Sequence, residues 1–378
     1  MNPNTPKSRA DADPQAQHAL PRHDASDYMH WAKTLQAARF NLGNSGVAAV
    51  TLRELGASLD DIELSGPSFY GWPPLVEALA RHLGVSTDRV CHAEGTSLAN
   101  YLAMAATLRP GDEVLIEEPT YELLVDAARH LGATVVRFPR PRALDFQPDL
   151  DALASRIGPR TRLIVLSDLH NPSSARLAPG LASRIADLAE AVGARVLIDE
   201  VYLDAASVPP PPTAHRADPR ILTTGSLTKV YGLSGLRCGW VVAEPALIER
   251  MWRLNDLLGV IPAHSAERLS LVALRELPRL RARSAGILEP NRAAWNAFLA
   301  ERGDLLDSPP LAAGTVTFPR LRRGSVEVLC DRLRTLEATV TPGSFFSDPQ
   351  AFRVGLGCKP EVFGAGLERL GTVLDSMR

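Results

Sequence analysis

Lys229 stands in the stretch SLTKVYGLSGLRCGW, Ser226 to Trp240, between small hydroxyl residues and a run that holds three glycines and Arg237. An amine held there can attack an aldehyde and keep it as a Schiff base if it is neutral at the moment of attack. A nearby cation and partial desolvation favour that form. Ser226, three residues before the lysine, and Arg237, eight after it, share a glycine-rich turn able to approach a phosphate. Upstream, EGTSLANYLAMAATL (Glu94 to Leu108) opens a predicted helix with Gly95, Thr96 and Ser97. The free N–H groups and two hydroxyls at its positive end suit a phosphate, although the same residues also serve as an ordinary helix cap. VLIDEVYLD (Val196 to Asp204) puts Asp199 where an apolar strand emerges and Tyr202 three residues later, and LSDLHNPSS (Leu166 to Ser174) ends a strand with Asn171 before Pro172. Each alone reads as a cap, a turn or a surface charge. In FRVGLG, strand alternation turns Arg353 away from Phe352 and Val354, while Gly355 on the same side would leave space beside it. A guanidinium there can grip a carboxylate through two parallel hydrogen bonds.

The elements that must position these groups follow from periodicity. Residues 1–25, rich in Pro, Asp, Ala and Asn and without an apolar period, read as a mobile arm. From Ser26, the spacing of Tyr28, Trp31, Ala32, Leu35 and Ala38 predicts one amphipathic helix. Helical PLVEALARHLG, YELLVDAARHLG and PGLASRIADLAEAVG then alternate with the strand-like runs EVLIEE, TVVRFP, RLIVLSDL and RVLIDEVYL. That alternation predicts an α/β fold with a mostly parallel central sheet and flanking helices. After about residue 275 the pattern becomes a smaller α+β layer. The expected organisation is an N-terminal helix and segment over 26–50 packing with the small domain, a large domain over 51–275, and a small domain over 276–378. VPPPPTAH reads as a surface loop.

Composition excludes several classes. With a formal net charge of −2 and no block of like charges, the chain has no footprint for nucleic acid or an anionic membrane. It contains no apolar run long enough for a signal peptide or a membrane span. The four cysteines, Cys91, Cys238, Cys330 and Cys358, lack CxxC spacing, which argues against a metal site or a disulfide framework and for a cytoplasmic setting. Small molecules or a second copy are the expected partners.

A lysine, a strand-end carboxylate, a phosphate-binding helix start with a further Ser and Arg, and a Tyr and Asn for a phenolic oxygen are together the polar needs of pyridoxal 5'-phosphate. At that point the order of the motifs EGTS, HNPSS, DEVY and SLTKVYGLSGLRCGW resembles the class I/II aminotransferases, the fold type I family of pyridoxal-phosphate enzymes, from roughly residue 65 onward. The resemblance implies a Schiff base at Lys229 and Asp199 paired with the pyridine nitrogen. It implies Asn171 and Tyr202 on the phenolic oxygen, and Thr96, Ser97, Ser226 and Arg237 on the phosphate. Tyr121 in EEPTYE would stack on the ring, and Arg353, with Asn171, would hold the substrate carboxylate. It further implies a homodimer with shared pockets, to which Tyr70 and the loop GVIPAHS (Gly259 to Ser265) would contribute. Three departures stand out: Ser174 where the family has glycine, Gly66 where a tyrosine commonly reaches the neighbouring subunit's phosphate, and a loose match of FNLGNSGV near the carboxylate site. The expected activity moves an amino group between an α-amino acid and a 2-oxo acid. Elimination, decarboxylation or oxidation on the same fold compete with it. A cofactor-sensing regulator is more distant, since 25 polar residues and one helix leave no room for a DNA-binding domain.

Overall fold

A computed structural model describes residues 23–34 and 38–378. The arm expected over residues 1–25 lies, up to residue 22, outside them, and so does Leu35. Seven strands make the central sheet: β1 (Val90–Glu94), β2 (Glu113–Glu118), β3 (Thr134–Pro139), β4 (Thr161–Ser167), β5 (Arg195–Asp199), β6 (Ile221–Ser226) and β7 (Cys238–Val242). Their spatial order is β1-β7-β6-β5-β4-β2-β3. Every neighbouring pair is parallel except the two made by β7 with β1 and with β6. Helices cover both faces, so each strand must be apolar on both sides. In β4, Leu163 and Val165 enter one core cluster with Leu102, Ile116 and Met251. Ile164 and Leu166 enter the opposite one with Leu115, Ile185 and Ile198. That two-residue alternation explains the continuous apolar run.

The parallel strands end level with one another: Ser167 of β4 pairs with Asp199 of β5, and Asp199 with Thr224 of β6. Polar side chains at these carboxyl ends therefore face one crevice, where open α/β sheets bind ligands. The helix Gly95–Thr107 starts directly after β1 and buries Ala99, Leu102, Ala103, Met104 and Ala106, so its first turn is fixed at the rim of that crevice.

A second layer is built on the 24-residue helix Leu277–Ala300 and the final helix Pro360–Asp375. Between them, Phe352–Gly355 is the middle strand of three, antiparallel to Val316–Thr317 and to Thr341–Pro342. Phe352 and Val354 point into a core with Trp295, Leu329, Phe363 and Leu370, joined by Phe40, Leu42 and Val47 from the N-terminal segment. Gly355 does not leave open space beside Arg353, as the alternation suggested. Its N–H donates to the Leu42 carbonyl at 2.6 Å, and a Cβ there would lie 1.8 Å from the Asn44 carbonyl oxygen. The room freed by the glycine is filled by main chain.

The N-terminal helix spans Asp27–Thr34. The Ser26 hydroxyl accepts from Met29 N (3.3 Å), and a distant carboxylate, Glu122, accepts from Tyr28 N (2.7 Å) and Ser26 Oγ (2.9 Å). A negative charge at a helix start satisfies open N–H groups and complements the dipole. No helix among the described residues is long and apolar enough to cross a membrane.

Candidate active site

A cavity of about 520 Å³ opens over the strand ends and is lined by Lys229, Asp199, Tyr202, Asn171, Thr96, Ser97, Tyr121 and Arg237. Eight residues selected from sequence thus meet in one place. Asp199 is buried, and its carboxylate is fixed from two sides, by Asn100 Nδ2 at 2.8 Å and by the main-chain N of Val201 at 3.0 Å. Asn100 Oδ1 in turn accepts from Thr224 Oγ1 at 2.6 Å. Burial pushes the Asp199 carboxyl up to about 6 despite these donors. A cation brought against it would reverse that cost. Lys229 moves the other way. Burial lowers its ammonium from the ordinary lysine value, and the charges of Arg353 and Arg237 add to the effect, so the neutral amine needed for attack is favoured.

At the rim, Gly95 begins its helix with φ +79°, and a Cβ there would lie 2.2 Å from the Arg237 guanidinium. Glycine therefore lets the arginine lie across the helix start. Arg237 donates to the Ser234 and Glu94 carbonyls at 3.3 and 3.2 Å. Thr96 Oγ1 is buried and has no hydrogen-bond partner. A buried hydroxyl without a partner, beside open helix N–H groups and a cation, matches the needs of a phosphate.

At the opposite end Arg353 is fully buried and does not line the cavity itself. Its Nη1 donates to Asn171 Oδ1 at 3.0 Å, and its Nη2 to the Tyr28 hydroxyl and the Gly43 carbonyl, each at 3.0 Å. Tyr28 also meets Tyr121 edge-on, ring centroids 5.4 Å apart. Burial pushes the Tyr202 phenol up to about 12. Below Asn171, the Ser167 hydroxyl accepts from its N–H (3.1 Å) and donates to Glu117 Oε1 (2.6 Å), while Arg140 holds Glu117 Oε2 at 2.6 Å, both charged groups fully buried. A buried ion pair of this kind fixes geometry more than it stabilises.

The sequence departures have structural counterparts. Ser174 keeps the left-handed backbone of a glycine, φ +62°, at a steric cost of about 1–2 kcal/mol. Its hydroxyl donates to the Val316 carbonyl at 2.7 Å, tying this turn to the second layer. At Gly66 there is no room for a tyrosine on this backbone, because a Cβ would meet the His264 ring at 2.2 Å.

Besides Gly95 and Arg353, two more selected residues lie outside the cavity lining. Ser226 turns its hydroxyl to Thr228 Oγ1 at 2.6 Å, and it is Thr228 that reaches the cavity. Tyr70 is 46% exposed, and its hydroxyl accepts from Arg253 at 2.6 Å. Sequence reasoning missed Asn100, Thr228 and Tyr28. Asn100 had a usable signal, since it lies four residues after Thr96 and so shares its helix face.

The class I and II aminotransferase model matches residues 46–370. The chain is 32% identical to a capreomycidine synthase of Streptomyces vinaceus, over 96% of each chain. It is 30% identical to an aromatic amino acid aminotransferase of Rhodococcus jostii, over 66% of this chain and 68% of the relative. A crystal structure of a PLP-dependent aminotransferase from Streptococcus suis superposes with a TM-score of 0.85 at 25% identity, covering 93% of this chain and 97% of the other.

Proposed function

Because the chain belongs to the class I and II aminotransferases, with pyridoxal 5'-phosphate (PLP) as cofactor, we propose that Lys229, Asp199 and Arg353 carry a transamination between an α-amino acid and a 2-oxo acid. One observation bears most of the weight. Lys229 and the Asn100-fixed Asp199 line the same cavity as the unpartnered Thr96 hydroxyl, which gives the amine, the counter-ion and the phosphate end that PLP requires. When bound, PLP supplies an aldehyde for covalent attachment and a ring that withdraws electrons from the substrate's α-carbon.

The residues divide the work. Lys229 Nζ would hold the cofactor covalently and, once freed by an incoming amino group, would carry the substrate's α-proton, with water and a second 2-oxo acid as co-reactants. Asp199 would hold a proton on the ring nitrogen. Asn171 and Tyr202 would hold the phenolic oxygen, and Tyr121 would cover the ring. Thr96, Ser97, Ser226 and Arg237 would serve the phosphate, Ser226 acting through Thr228. Arg353 would grip the substrate carboxylate beside Asn171.

A panel of amino acids mixed with the holoenzyme tests the reaction. Transamination requires loss of the cofactor's aldehyde absorbance with release of a 2-oxo acid. Release of pyruvate and ammonia without that loss would mean elimination. This second reading, another PLP reaction on the same body, is favoured by the relative that covers 96% of the chain, a synthase rather than an aminotransferase. Arg353→Lys separates recognition from cofactor binding. Lysine supplies the charge but not the fork, so KM for amino acids should rise roughly ten- to hundredfold, the worth of one charge-assisted hydrogen bond. Absorbance of bound PLP should not change. Unchanged kinetics would remove Arg353 from the substrate site.

We assign a second copy of this chain to the apolar surface formed by Leu59, Leu64, Phe69 and Tyr70 with Leu257, Leu258, Val260 and Ile261, all exposed. The two stretches are joined, since Tyr70 bonds Arg253 and meets Trp252 at 6.0 Å. Exposed apolar groups of this number support an interaction surface. In a homodimer Tyr70 would reach the neighbour's cavity. Sedimentation should find a dimer in the wild type and a poorly active monomer in Phe69→Asp; an active wild-type monomer would end this reading. Four free cysteines suit a cytosolic setting.

A further inference from the structure

We propose that the Tyr28 hydroxyl occupies Arg353 in place of the substrate's carboxylate, so that carboxylate binding displaces Tyr28 and carries the N-terminal helix with it. This rests on Arg353 as the carboxylate site. A guanidinium has five N–H donors in a fixed fork. At Arg353 these meet Asn171 Oδ1, the Gly43 carbonyl, the Tyr28 hydroxyl and, at 3.4 Å, Thr341 Oγ1, while the buried Nε–H has no partner. The arginine is fully buried and screened from the cavity, and Tyr28 is one of the residues that line it. Three acceptors crowd Nη2, and Tyr28, one of them, stands between the arginine and the cavity, so a carboxylate arriving through the cavity reaches the guanidinium by replacing it.

The acceptors differ in how firmly they are held. Gly43 belongs to main chain pinned on either side, by Gly355 N to Leu42 O (2.6 Å) and by Val47 N to Lys229 O (2.8 Å). Asn171 is held through its own N–H by Ser167 Oγ. Tyr28 sits on a helix that, among the described residues, makes no backbone-to-backbone hydrogen bond to the rest of the fold beyond its own first turn. It is held by the Glu122 carboxylate and by ring contacts with Tyr121, Phe345 and Phe346 at 5.4–6.1 Å. Tyr28 is the acceptor that can leave.

The exchange has a favourable direction in both states. With no substrate, the phenol spares a buried guanidinium the cost of a missing partner. With substrate, an ionised acceptor replaces a neutral one, and a carboxylate can take two parallel bonds from the guanidinium where the phenol takes one. The same helix presents Met29, Ala32 and Lys33 to the cavity. Carboxylate arrival and the wall that meets the substrate's side chain are thereby linked.

The test uses the PLP-loaded protein titrated with propionate and with succinate, carboxylates without an amino group, and with propionamide as the uncharged control. Binding is read from the visible absorbance of the cofactor. Trp31, whose ring lies 6.2 Å from Tyr28 and 5.5 Å from Phe345, reports the helix by its emission, isolated by comparison with Trp31→Phe. In the wild type the carboxylates should alter both signals and the amide neither. Tyr28→Phe should bind the carboxylates roughly tenfold or more tightly, the size of one hydrogen bond to a charged group no longer given up, and Trp31 should no longer respond. Equal or weaker binding in Tyr28→Phe would overturn the proposal, and so would wild-type binding with no Trp31 response. Carboxylate affinity unchanged in Arg353→Lys would instead sink the arginine reading beneath it.

Discussion

Lys229→Ala should still bind PLP yet lose turnover by roughly 10⁴-fold or more, because one substitution removes both a covalent nucleophile and the carrier of the α-proton. The environment explains why this lysine suits both tasks. Burial lowers its ammonium, with Arg353 and Arg237 adding to the effect, which favours the neutral amine. Borohydride reduction of the wild-type holoenzyme followed by peptide mass spectrometry should place the pyridoxyl group on Lys229. A label on another lysine, or near-normal turnover in the alanine variant, would refute the assignment.

Asp199→Asn should lower turnover by on the order of 10²- to 10⁴-fold, the range in which a positioned proton-holding group acts, with little change in shape. The amide cannot keep a ring nitrogen protonated, and Asn100 and Val201 N, which now both donate to the carboxylate, would meet a group that also has hydrogens to donate. The carboxyl's raised value gives a second readout that is independent of turnover. Between its ordinary value of 3.8 and about 6, the folded apoprotein binds a proton that the unfolded chain has released. Stability of the cofactor-free protein should therefore fall as pH rises through that window, by up to about 3 kcal/mol from this one group. A cationic ring nitrogen against the carboxylate should remove the penalty, and Asp199→Asn should remove it without cofactor. Melting curves of both apoproteins across pH 4.5–7 check this. An unaltered pH slope, or near-normal turnover with PLP bound, would reduce Asp199 to a buried structural acid.

The parts of the site that were legible in sequence are those whose chemistry and placement are both local. Asp199 and Asn171 follow the ends of apolar strands, Thr96 and Ser97 open a helix, and Lys229 sits in a glycine-rich turn. In each case a few neighbouring residues fix where the side chain points. Tyr28 gave no such signal. It read as one apolar position on an amphipathic helix, and its bond to Arg353 spans 325 residues, set by how two distant layers pack. Ser226 and Thr228 show the limit inside one motif, since a hydroxyl two residues away, not the one expected, reaches the cavity. The reversed direction of β7 was equally silent, because CGWVV is apolar on both faces whichever way it runs. The pocket beside Gly355 was inferred from a missing side chain, and the main chain of residues 42–44 had already filled it.

The segment whose Gly43 carbonyl accepts from Arg353 is stitched by backbone to the lysine turn, through Val47 N to Lys229 O and Val50 N to Gly232 O. The N-terminal helix is attached through side chains. These two modes of attachment give the protein a division between inherited and revisable parts. A change in residues 44–50 disturbs the turn that carries the reactive amine, so this part of the pocket is closed to trial. A change at Met29, Ala32 or Lys33 alters what the cavity accepts while leaving that turn intact. Changes among the eight residues Asp27–Thr34 should therefore reshape what the cavity accepts without touching the turn that holds Lys229.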